Sequence, residues 1–523
     1  MNMRKHIINL LFAAVAFMTG CSESLEDTYS DFTGDGKIRY VAKCSDLDIT
    51  AGWERLIVTW VNGTDATIDK IKVAWLFEGR RDSVYLPGTA TSFELTDLAD
   101  GTYQFYVSAV DKFGNESLIE AYSGRPYTRD HELMRSFSQG VLKAYFLKGK
   151  MIFFSDQYND NIVDMQLQYK NAVGETKYYK FKNPDSYNTL VTIDDVSANP
   201  MDTVYVLRTG ILENSPDSVV IDPMAISRKK NFSAGFVHAI TARYGYSTDT
   251  QEEEEKFLEF IENAEELEFD YSIESLEDIL FCTNLKRLVV GKNRYFTEQA
   301  TRDNRSQILK NSKNSYAALE KAAEDDILGL KVEYYGNPSG TGMHYFDKVY
   351  SSFMEHKGFS AAPDDLEIIP ASAFKEYEDG NKIYCETEDI FADWDVLLDN
   401  NKNTFLQTST QPSMRTYEMY MELEERTAIS GIKVTQIVIP RNDRSAPYFL
   451  PDMMIAQTSL DGVVWEDVTF LPSNDLGRVS GEVTLLKIAE DTREVKHIKI
   501  TIRDGSDPSG NWSCRLAGIN LYK

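Results

Sequence analysis

The run LADGTYQFYVSAVDKFGNES, residues 98–117, decides the fold of the first part of the chain. Its apolar residues Tyr103, Phe105, Val107 and Ala109 occupy every second position. Such alternation is typical of a β-strand that buries one face and leaves the other in solvent. The Gly-Asn pair that follows indicates a tight turn. The run therefore predicts a strand and turn of a β-sandwich.

Two shorter runs upstream, RLIVTW at 55–60 and KIKVAW at 70–75, also read as strands separated by turn signals. With the run L-x-x-G-x-Y-x-F-x-V-x-A-x-D-x-x-G-N-x-S, residues 37–127 resemble a fibronectin type III module. The resemblance implies that Tyr103 is the tyrosine-corner residue and that Trp60 is the core tryptophan. Both residues are therefore expected to be structural rather than ligand-binding.

A second Ig-like sandwich is predicted over residues 140–228, where β-rich runs again alternate with turn residues. The order of a tryptophan strand, a G-x-Y-x-F run and a V-Y-x-x-R-T stretch at 204–209 resembles a Bacteroidota lipoprotein family of unknown function. A resemblance of this kind implies a fold and says little about activity.

In residues 235–360 the sequence pattern changes from alternating β-rich runs to a repeat with helical stretches. Leu267 and Leu288 lie 21 residues apart, and Leu330 lies a further 42 residues on, which is two periods. The L-x-x-L-x-L-x-x-N pattern at 285–293 and this spacing resemble leucine-rich repeats. We therefore expect a short α/β unit that acts as a spacer or packing platform. Its helical stretches are residues 250–263 and 315–325.

The last segment, residues 365–523, contains L-D-x-x-x-x-T-F at 398–405 and S-x-D-G-x-x-W at 459–465. These motifs resemble the discoidin, or coagulation factor 5/8 type C, domain, which is a jelly-roll sandwich. The whole chain is therefore expected to be mainly β and multidomain. It would contain two sandwiches, a leucine-rich-repeat-like unit and a C-terminal discoidin-like domain.

Discoidin-like domains bind ligands, very often sugars, on loops at one end of the sandwich. Sugar recognition needs an aromatic face for the ring and amide or charged groups for the hydroxyls. Three loops, at 384–394, 440–449 and 504–512, offer both kinds of side chain. The candidate ligand-binding residues are Trp394, Arg441, Asn442, Arg444, Tyr448 and Trp512.

The same resemblance implies a structural calcium ion near residues 398–405, where Asp399, Asn401 and Thr404 supply oxygen ligands. Gly518 stands about where such domains carry a further carboxylate, and this departure argues against calcium. No other cofactor is expected. The histidines lack metal-ligand spacing, which makes a zinc site unlikely on sequence grounds.

The amino terminus reads as a targeting segment. Arg4 and Lys5 precede an apolar run over residues 7–18, which is too short to span a bilayer and fits a signal peptide. The residues Met-Thr-Gly-Cys that end at Cys21 resemble a bacterial lipobox. This predicts a signal peptide over 1–20, lipidation of Cys21, and a lipid-anchored tether over 21–36. Acidic residues after Cys21 resemble a surface-export signal, which implies the outer face of the outer membrane.

The formal net charge of −27 makes nucleic acid and anionic lipid poor partners. Neutral polysaccharides and host glycans remain open, and an outer-membrane transporter would be the partner in uptake. Most of the cysteines after Cys21 are interpreted as small buried residues, with a Cys385–Cys514 bridge as the alternative.

Sequence motifs give no support for catalysis, since the chain lacks G-x-S-x-G, H-E-x-x-H and P-loop patterns. We therefore expect a non-enzymatic, carbohydrate-binding surface lipoprotein that captures glycan for uptake. A protein-binding adhesin or scaffold is the alternative, and an unrecognised glycan hydrolase is a third hypothesis.

Overall fold

The structure is a computed structural model. It describes residues 40–523 apart from 138–139, 158, 183–184, 186–188, 298–305, 337–352, 387–391, 440–447, 452, 470–475 and 490. The predicted signal peptide, tether and Cys21 lie outside the described residues. Among the described helices, none has the length and apolar composition to cross a bilayer. The chain divides into two compact units, and the smaller combines described residues before 140 with 159–166 and 206–224.

In the smaller unit, two antiparallel sheets form the predicted fibronectin III-like sandwich, with strand orders β1-β2-β5 and β4-β3-β6-β7. The strands are β1 (Ser45–Gly52), β2 (Arg55–Val61), β3 (Ile68–Phe77), β4 (Arg80–Pro87), β5 (Ser92–Leu95), β6 (Tyr103–Asp111) and β7 (Glu120–Gly124). Strand β6 lies within the run at 98–117, and its burial alternates as expected except at Ser108, which is buried.

The two residues that were assigned structural roles in this sandwich are buried. Tyr103 stacks on Phe77 with ring centroids 4.1 Å apart, and its hydroxyl is hydrogen-bonded by the backbone of Ala99. The indole N–H of Trp60 donates to Asn62 Oδ1 at 2.9 Å. Both contacts tie loops to the sheets, as a tyrosine corner and a core tryptophan do.

The second β-rich region begins with the short 3₁₀ helix Glu132–Phe137. Its strands are β8 (Val141–Leu147), β9 (Lys150–Ser155), β10 (Ile162–Lys170), β11 (Thr176–Lys180), β12 (Leu190–Ile193), β13 (Val204–Ile211) and β14 (Ser218–Ile226). Within the larger unit, β12, β9 and β8 form an antiparallel sheet. Its side chains Tyr145 and Phe154 join the core of the following segment, so this sheet packs onto an α/β layer.

The α/β layer contains a parallel sheet of order β15-β16-β18-β19. Its elements are α1 (Ala234–Tyr244), α2 (Gln251–Asn263), β15 (Glu266–Phe269), a 3₁₀ helix (Glu277–Phe281), β16 (Arg287–Val290), β17 (Tyr295–Phe296), α3 (Ser312–Ala323), β18 (Lys331–Tyr334) and β19 (Met354–His356). Helix α2 begins with a capping box, in which Thr250 and Glu253 satisfy each other's backbone N–H groups.

The register of this sheet confirms one predicted spacing and corrects another. Leu267 pairs with Leu288, which is the predicted interval of 21 residues. Leu288 pairs with Val332 rather than Leu330, so the second interval is 44 residues and not 42. A slip of two residues leaves the same face buried, because side chains alternate with a period of two. The sequence pattern therefore could not distinguish the two registers.

The C-terminal domain is a sandwich of two larger sheets, ordered β17-β26-β23-β31 and β20-β22-β27-β24-β25. Short 3₁₀ helices cover Ala371–Ala373 and Asp395–Leu398. The strands are β20 (Tyr384–Cys385), β21 (Leu406–Gln407), β22 (Thr416–Ile429), β23 (Gly431–Thr435), β24 (Met454–Ser459), β25 (Glu466–Asp467), β26 (Glu482–Lys487), β27 (Arg493–Arg503), β28 (Gly505–Ser506), β29 (Trp512–Ser513), β30 (Arg515–Leu516) and β31 (Gly518–Tyr522).

Strand β17 belongs by sequence to the α/β layer but pairs with β26 of the C-terminal sandwich. Beside it, Arg294 and Glu482 are 6% and 1% exposed and form a bidentate ion pair, with N–O distances of 2.7 and 3.1 Å. Arg294 also donates to Ser306 Oγ at 3.3 Å. The α/β layer and the C-terminal sandwich are therefore joined by paired backbone and by a buried charge pair.

No disulfide joins Cys385 and Cys514, so the alternative of a bridge between them is wrong. Cys44, Cys282 and Cys514 are fully buried, which agrees with their interpretation as small core residues. Burial raises the pKa of each of these three thiols, which suppresses formation of the reactive thiolate.

Candidate functional site

Trp394, the first candidate residue, precedes the 3₁₀ helix Asp395–Leu398 and is half-buried. Its ring centroid lies 5.4 Å from that of Tyr417, which is fully buried on the inner face of β22. Trp394 thus packs against the core of the sandwich and leaves only part of its ring at the surface.

Asp504 connects this aromatic pair to the next loop. It follows the last residue of β27 and is fully buried. Its carboxylate accepts hydrogen bonds from the Tyr417 hydroxyl at 3.0 Å and from the backbone N–H and Nε of Arg415, both at 3.1 Å. Burial raises the pKa of Asp504, while Arg415 and Tyr417 act in the opposite direction. The carboxylate thereby fixes the start of β22 to the end of β27.

Gly505 brings two candidate loops together directly after Asp504. A Cβ atom at this position would lie 2.7 Å from the Leu450 carbonyl oxygen, so only glycine permits this approach. The neighbouring residue Tyr448 is exposed. On the other side, Ser506 pairs with Trp512 in the β28–β29 hairpin. The structure therefore gathers Trp394, Tyr448 and Trp512 at one end of the sandwich, which we call the loop end.

The loop that carries Trp512 is held in a defined shape. The Asp507 carboxylate accepts from the backbone N–H groups of Ser509 and Asn511, each at 2.9 Å, and from Asn511 Nδ2 at 3.0 Å. The hydrogen bond from the Asn511 side chain is the main cause that lowers the pKa of Asp507. Trp512 is half-buried and exchanges two backbone hydrogen bonds with Gln411, of 2.8 and 2.9 Å.

Sequence reasoning missed three residues at the loop end. Gln411 and Arg415 belong to the connection between β21 and β22, which contains no aromatic residue and therefore gave no signal. Arg515 begins β30, and its guanidinium lies 5.4 Å from the ring centroid of Phe449. An arginine three residues beyond Trp512, the aromatic residue that ends a candidate loop, was the available signal. The remaining candidates, Arg441, Asn442 and Arg444, lie outside the described residues.

The three candidate calcium ligands lie in one turn. The Asp399 carboxylate accepts from the Asn401 backbone N–H at 2.7 Å and from the Thr404 hydroxyl at 2.6 Å. Among the described residues, His, Cys, Asp and Glu side chains form no group of three that could hold a metal ion.

A cavity of about 190 Å³ beside this turn is lined by Asn400, Lys433, Gly518 and Asn520. The Lys433 ammonium donates to Asn400 Oδ1 at 3.1 Å, and burial lowers the pKa of this amine. Calcium takes about six to eight oxygen ligands, usually with carboxylates among them. An ammonium group and a glycine in these positions do not fit a calcium ion.

Comparison with known proteins gives a family match for the N-terminal region. Residues 21–214 match DUF4998, a domain of unknown function. This confirms the expected resemblance of the N-terminal sandwiches to a family without an assigned activity. No curated protein matches the chain.

Solved structures similar to parts of the chain include two fibronectin type III domains of chicken tenascin, with 12% identity over 35% of this chain and 99% of that one, and a TM-score of 0.17. CBM32-3 from a family 31 glycoside hydrolase of Clostridium perfringens is 15% identical over 30% of this chain and 94% of that one, with a TM-score of 0.22. An F5/8 type C domain from Bacteroides fragilis is 17% identical over 31% of this chain and 98% of that one, with a TM-score of 0.23. By its own strands and compact units the chain is a mainly β, multidomain protein, and its residues 21–214 match DUF4998.

Proposed function

We propose that this protein is a lipid-anchored outer-membrane protein, exposed on the cell surface, that binds carbohydrate at the loop end of its C-terminal domain. The observation that carries the proposal is the convergence of Tyr448 and Trp512 on two loops that meet at Gly505. Aromatic faces of this kind pack against the C–H faces of sugar rings, and nearby amides pair with hydroxyls.

The polar groups at the loop end support the same class of ligand. Gln411, Asn511 and Arg515 lie beside Trp512 in sequence or in the backbone pairing, and they offer amide and guanidinium groups. The loop of Trp512 is ordered by Asp507 before any ligand arrives, which reduces the entropy that binding must offset. The net charge of −27 favours neutral glycans over anionic ones.

A binding role, rather than catalysis, is our proposal for the loop end. Asp504 is buried and bonded to Arg415 and Tyr417, and Asp507 is bonded within its own loop. Neither carboxylate is placed to act alone as an acid or a nucleophile on a substrate. Capture of glycan for an outer-membrane transporter would follow from a surface location.

Substitution of the loop-end aromatics tests the binding proposal. We expect Trp512→Ala and Tyr448→Ala each to weaken retention on a neutral glycan at least tenfold, because each removes a stacking face. Glycan-array binding and isothermal titration calorimetry of the full-length protein measure this. The matched control is Tyr85→Ala, an exposed tyrosine of β4. Full affinity in both loop variants would overturn the loop assignment, and binding to a protein without sugar competition would favour an adhesin.

The lipid anchor has a separate test. We expect Cys21→Ala to release the protein from the membrane fraction, since the thiol is the predicted acylation site and the described helices cannot span a bilayer. Metabolic labelling with an alkyne fatty acid and protease treatment of intact cells measure acylation and surface exposure. Continued labelling of the Cys21→Ala protein would contradict the anchor.

A further inference from the structure

A second group of aromatic side chains lies on the outer face of the sheet β20-β22-β27-β24-β25. Strand β22 buries Tyr417, Met419 and Met421 on its inner face, so Tyr420 points outward. Tyr420 is three residues beyond Tyr417, or about 10 Å along the strand. This group is therefore distinct from the loop end in both position and face.

The aromatic strip consists of Tyr377, Tyr384, Tyr420 and Trp465, of which Tyr384 lies on β20 and Tyr420 on β22. Tyr384 pairs directly with Tyr420 across β20 and β22. Ring centroids of neighbouring members are 5.8, 6.2 and 6.2 Å apart, so each ring contacts the next. The strip is therefore a continuous row rather than a set of scattered surface residues.

The strip is open to solvent at its centre. Tyr384 is 46% exposed, and Tyr377, Tyr420 and Trp465 are half-buried. An outward face of a sandwich is normally polar, and contiguous aromatic surface there usually marks an interaction site. Packing of the inner core does not require these rings, because Met419 and Met421 fill that side of β22.

Polar groups border the strip. The Tyr420 hydroxyl donates to Glu418 Oε2 at 3.0 Å, and Lys499, directly opposite Tyr420 on β27, places its ammonium 5.2 Å from the Trp465 ring centroid. Burial, together with the Glu418 carboxylate, raises the pKa of Tyr420 to about 12. The hydroxyl therefore remains a hydrogen-bond donor at any physiological pH.

We propose that the aromatic strip is a second carbohydrate-binding site, which holds the extended chain of a neutral polysaccharide across the sheet. The spacing of the Tyr377, Tyr384 and Tyr420 rings is comparable to the length of one pyranose residue, so successive sugars can stack on these three rings. Trp465 meets Tyr420 edge-on, at 74°, and bounds the strip at its other end. Glu386 and Glu418 flank the strip and disfavour polyanionic glycans. The ligand class rests on the proposed carbohydrate-binding function, whereas the location does not involve the loop end.

The angles between the ring planes further restrict the class of polysaccharide that the strip can bind. The planes of Tyr377 and Tyr384 differ by 44°, and those of Tyr384 and Tyr420 by 40°. A flat crystalline surface cannot lie on all three rings at once, whereas a single twisted chain can follow them. The strip is therefore a site for soluble single chains rather than for crystalline cellulose.

Affinity electrophoresis of the full-length protein in detergent tests this proposal, in gels containing xyloglucan, galactomannan, mixed-linkage β-glucan or pullulan. The double variant Tyr384→Ala/Tyr420→Ala should lose at least tenfold in the association constant for a polysaccharide that retards the native protein. Tyr384→Phe/Tyr420→Phe keeps the rings and should keep the retardation. Tyr85→Ala is the matched control for loss of an exposed tyrosine, and thermal unfolding shows whether each variant is folded.

The loop-end variant Trp512→Ala in the same gels separates the two proposals. Retardation lost in the strip variant but kept in Trp512→Ala supports the strip even if the loop end binds nothing. Retardation lost only in Trp512→Ala overturns the strip and leaves the loop end standing. Absence of retardation of the native protein in every gel also overturns the strip. Unchanged retardation of the strip variant, with loss of a crosslinked outer-membrane protein, overturns it in favour of protein docking.

Discussion

Substitution of Glu482 by alanine is expected to lower the free energy of unfolding of the larger unit by about 3–5 kcal/mol, because it leaves a buried arginine without its counter-charge. Arg294 is 6% exposed and donates two hydrogen bonds to the Glu482 carboxylate. Rings of Tyr271 and Phe296 lie 5.5 and 5.4 Å from its guanidinium carbon, so water cannot readily take the place of the carboxylate. Urea unfolding of the full-length protein, followed by tryptophan fluorescence, measures the change.

The double variant Arg294→Met/Glu482→Leu is the control. It removes both charges and should recover most of the lost stability, because apolar side chains need no partner. A loss below about 1 kcal/mol in Glu482→Ala would match an exposed pair instead, and it would contradict the buried ion pair.

Asp504→Ala is expected to lower the stability of the same unit by about 3 kcal/mol and to abolish carbohydrate retention at the loop end. The carboxylate has no solvent contact and accepts hydrogen bonds from Tyr417 and from Arg415, whose side chain is 18% exposed. Its loss leaves the Arg415 charge uncompensated and frees the backbone that carries Gly505. Calorimetric unfolding and glycan binding are measured on the same sample.

Tyr417→Phe is the graded control for Asp504. It removes one of the hydrogen bonds to the carboxylate and keeps the ring that packs on Trp394, so we expect a loss of about 1 kcal/mol. Asp504→Ala with native stability and native glycan binding would show that the carboxylate does not organise the loop end.

The parts of the fold that sequence predicted are those with a strong local period. Alternation along residues 103–109 marked β6, and the 21-residue spacing of Leu267 and Leu288 marked two paired parallel strands. The second interval, from Leu288 to Val332, was predicted wrongly because a shift of two residues preserves the buried face. Strand β19 was not predicted because it is three residues long and carries no periodic pattern.

Pairing that crosses from one segment to another could not be predicted from the sequence. Tyr295 and Phe296 form too short a strand to show alternation, and their partner Val483 is nearly 190 residues away. The buried pair of Arg294 and Glu482 could not be predicted for the same reason, because the two residues are far apart in the sequence. Charged residues are usually exposed, so nothing local indicated that these two are buried.

At the candidate site, residue type was enough to predict the aromatic residues. It did not predict the polar residues that hold their loops in place. Tyr448 and Trp512 are candidates on sequence grounds because both lie in polar loops, and the structure brings these loops to one end. Asp504 and Arg415 act through burial and distance, which sequence does not reveal. The aromatic strip was missed because Tyr384, Tyr420 and Trp465 are scattered along the chain and become neighbours only through strand order.

The pairing of β17 with β26 has a consequence for how the C-terminal domain can be produced. A recombinant fragment that starts at residue 365 would lack β17, so the backbone of Val483 would stand at an unprotected sheet edge. The Glu482 carboxylate would lose Arg294 at the same time. Bare edges template association between molecules. Such a fragment is expected to self-associate and precipitate. A fragment that begins before α1 at Ala234 retains β17, which keeps this sheet edge paired.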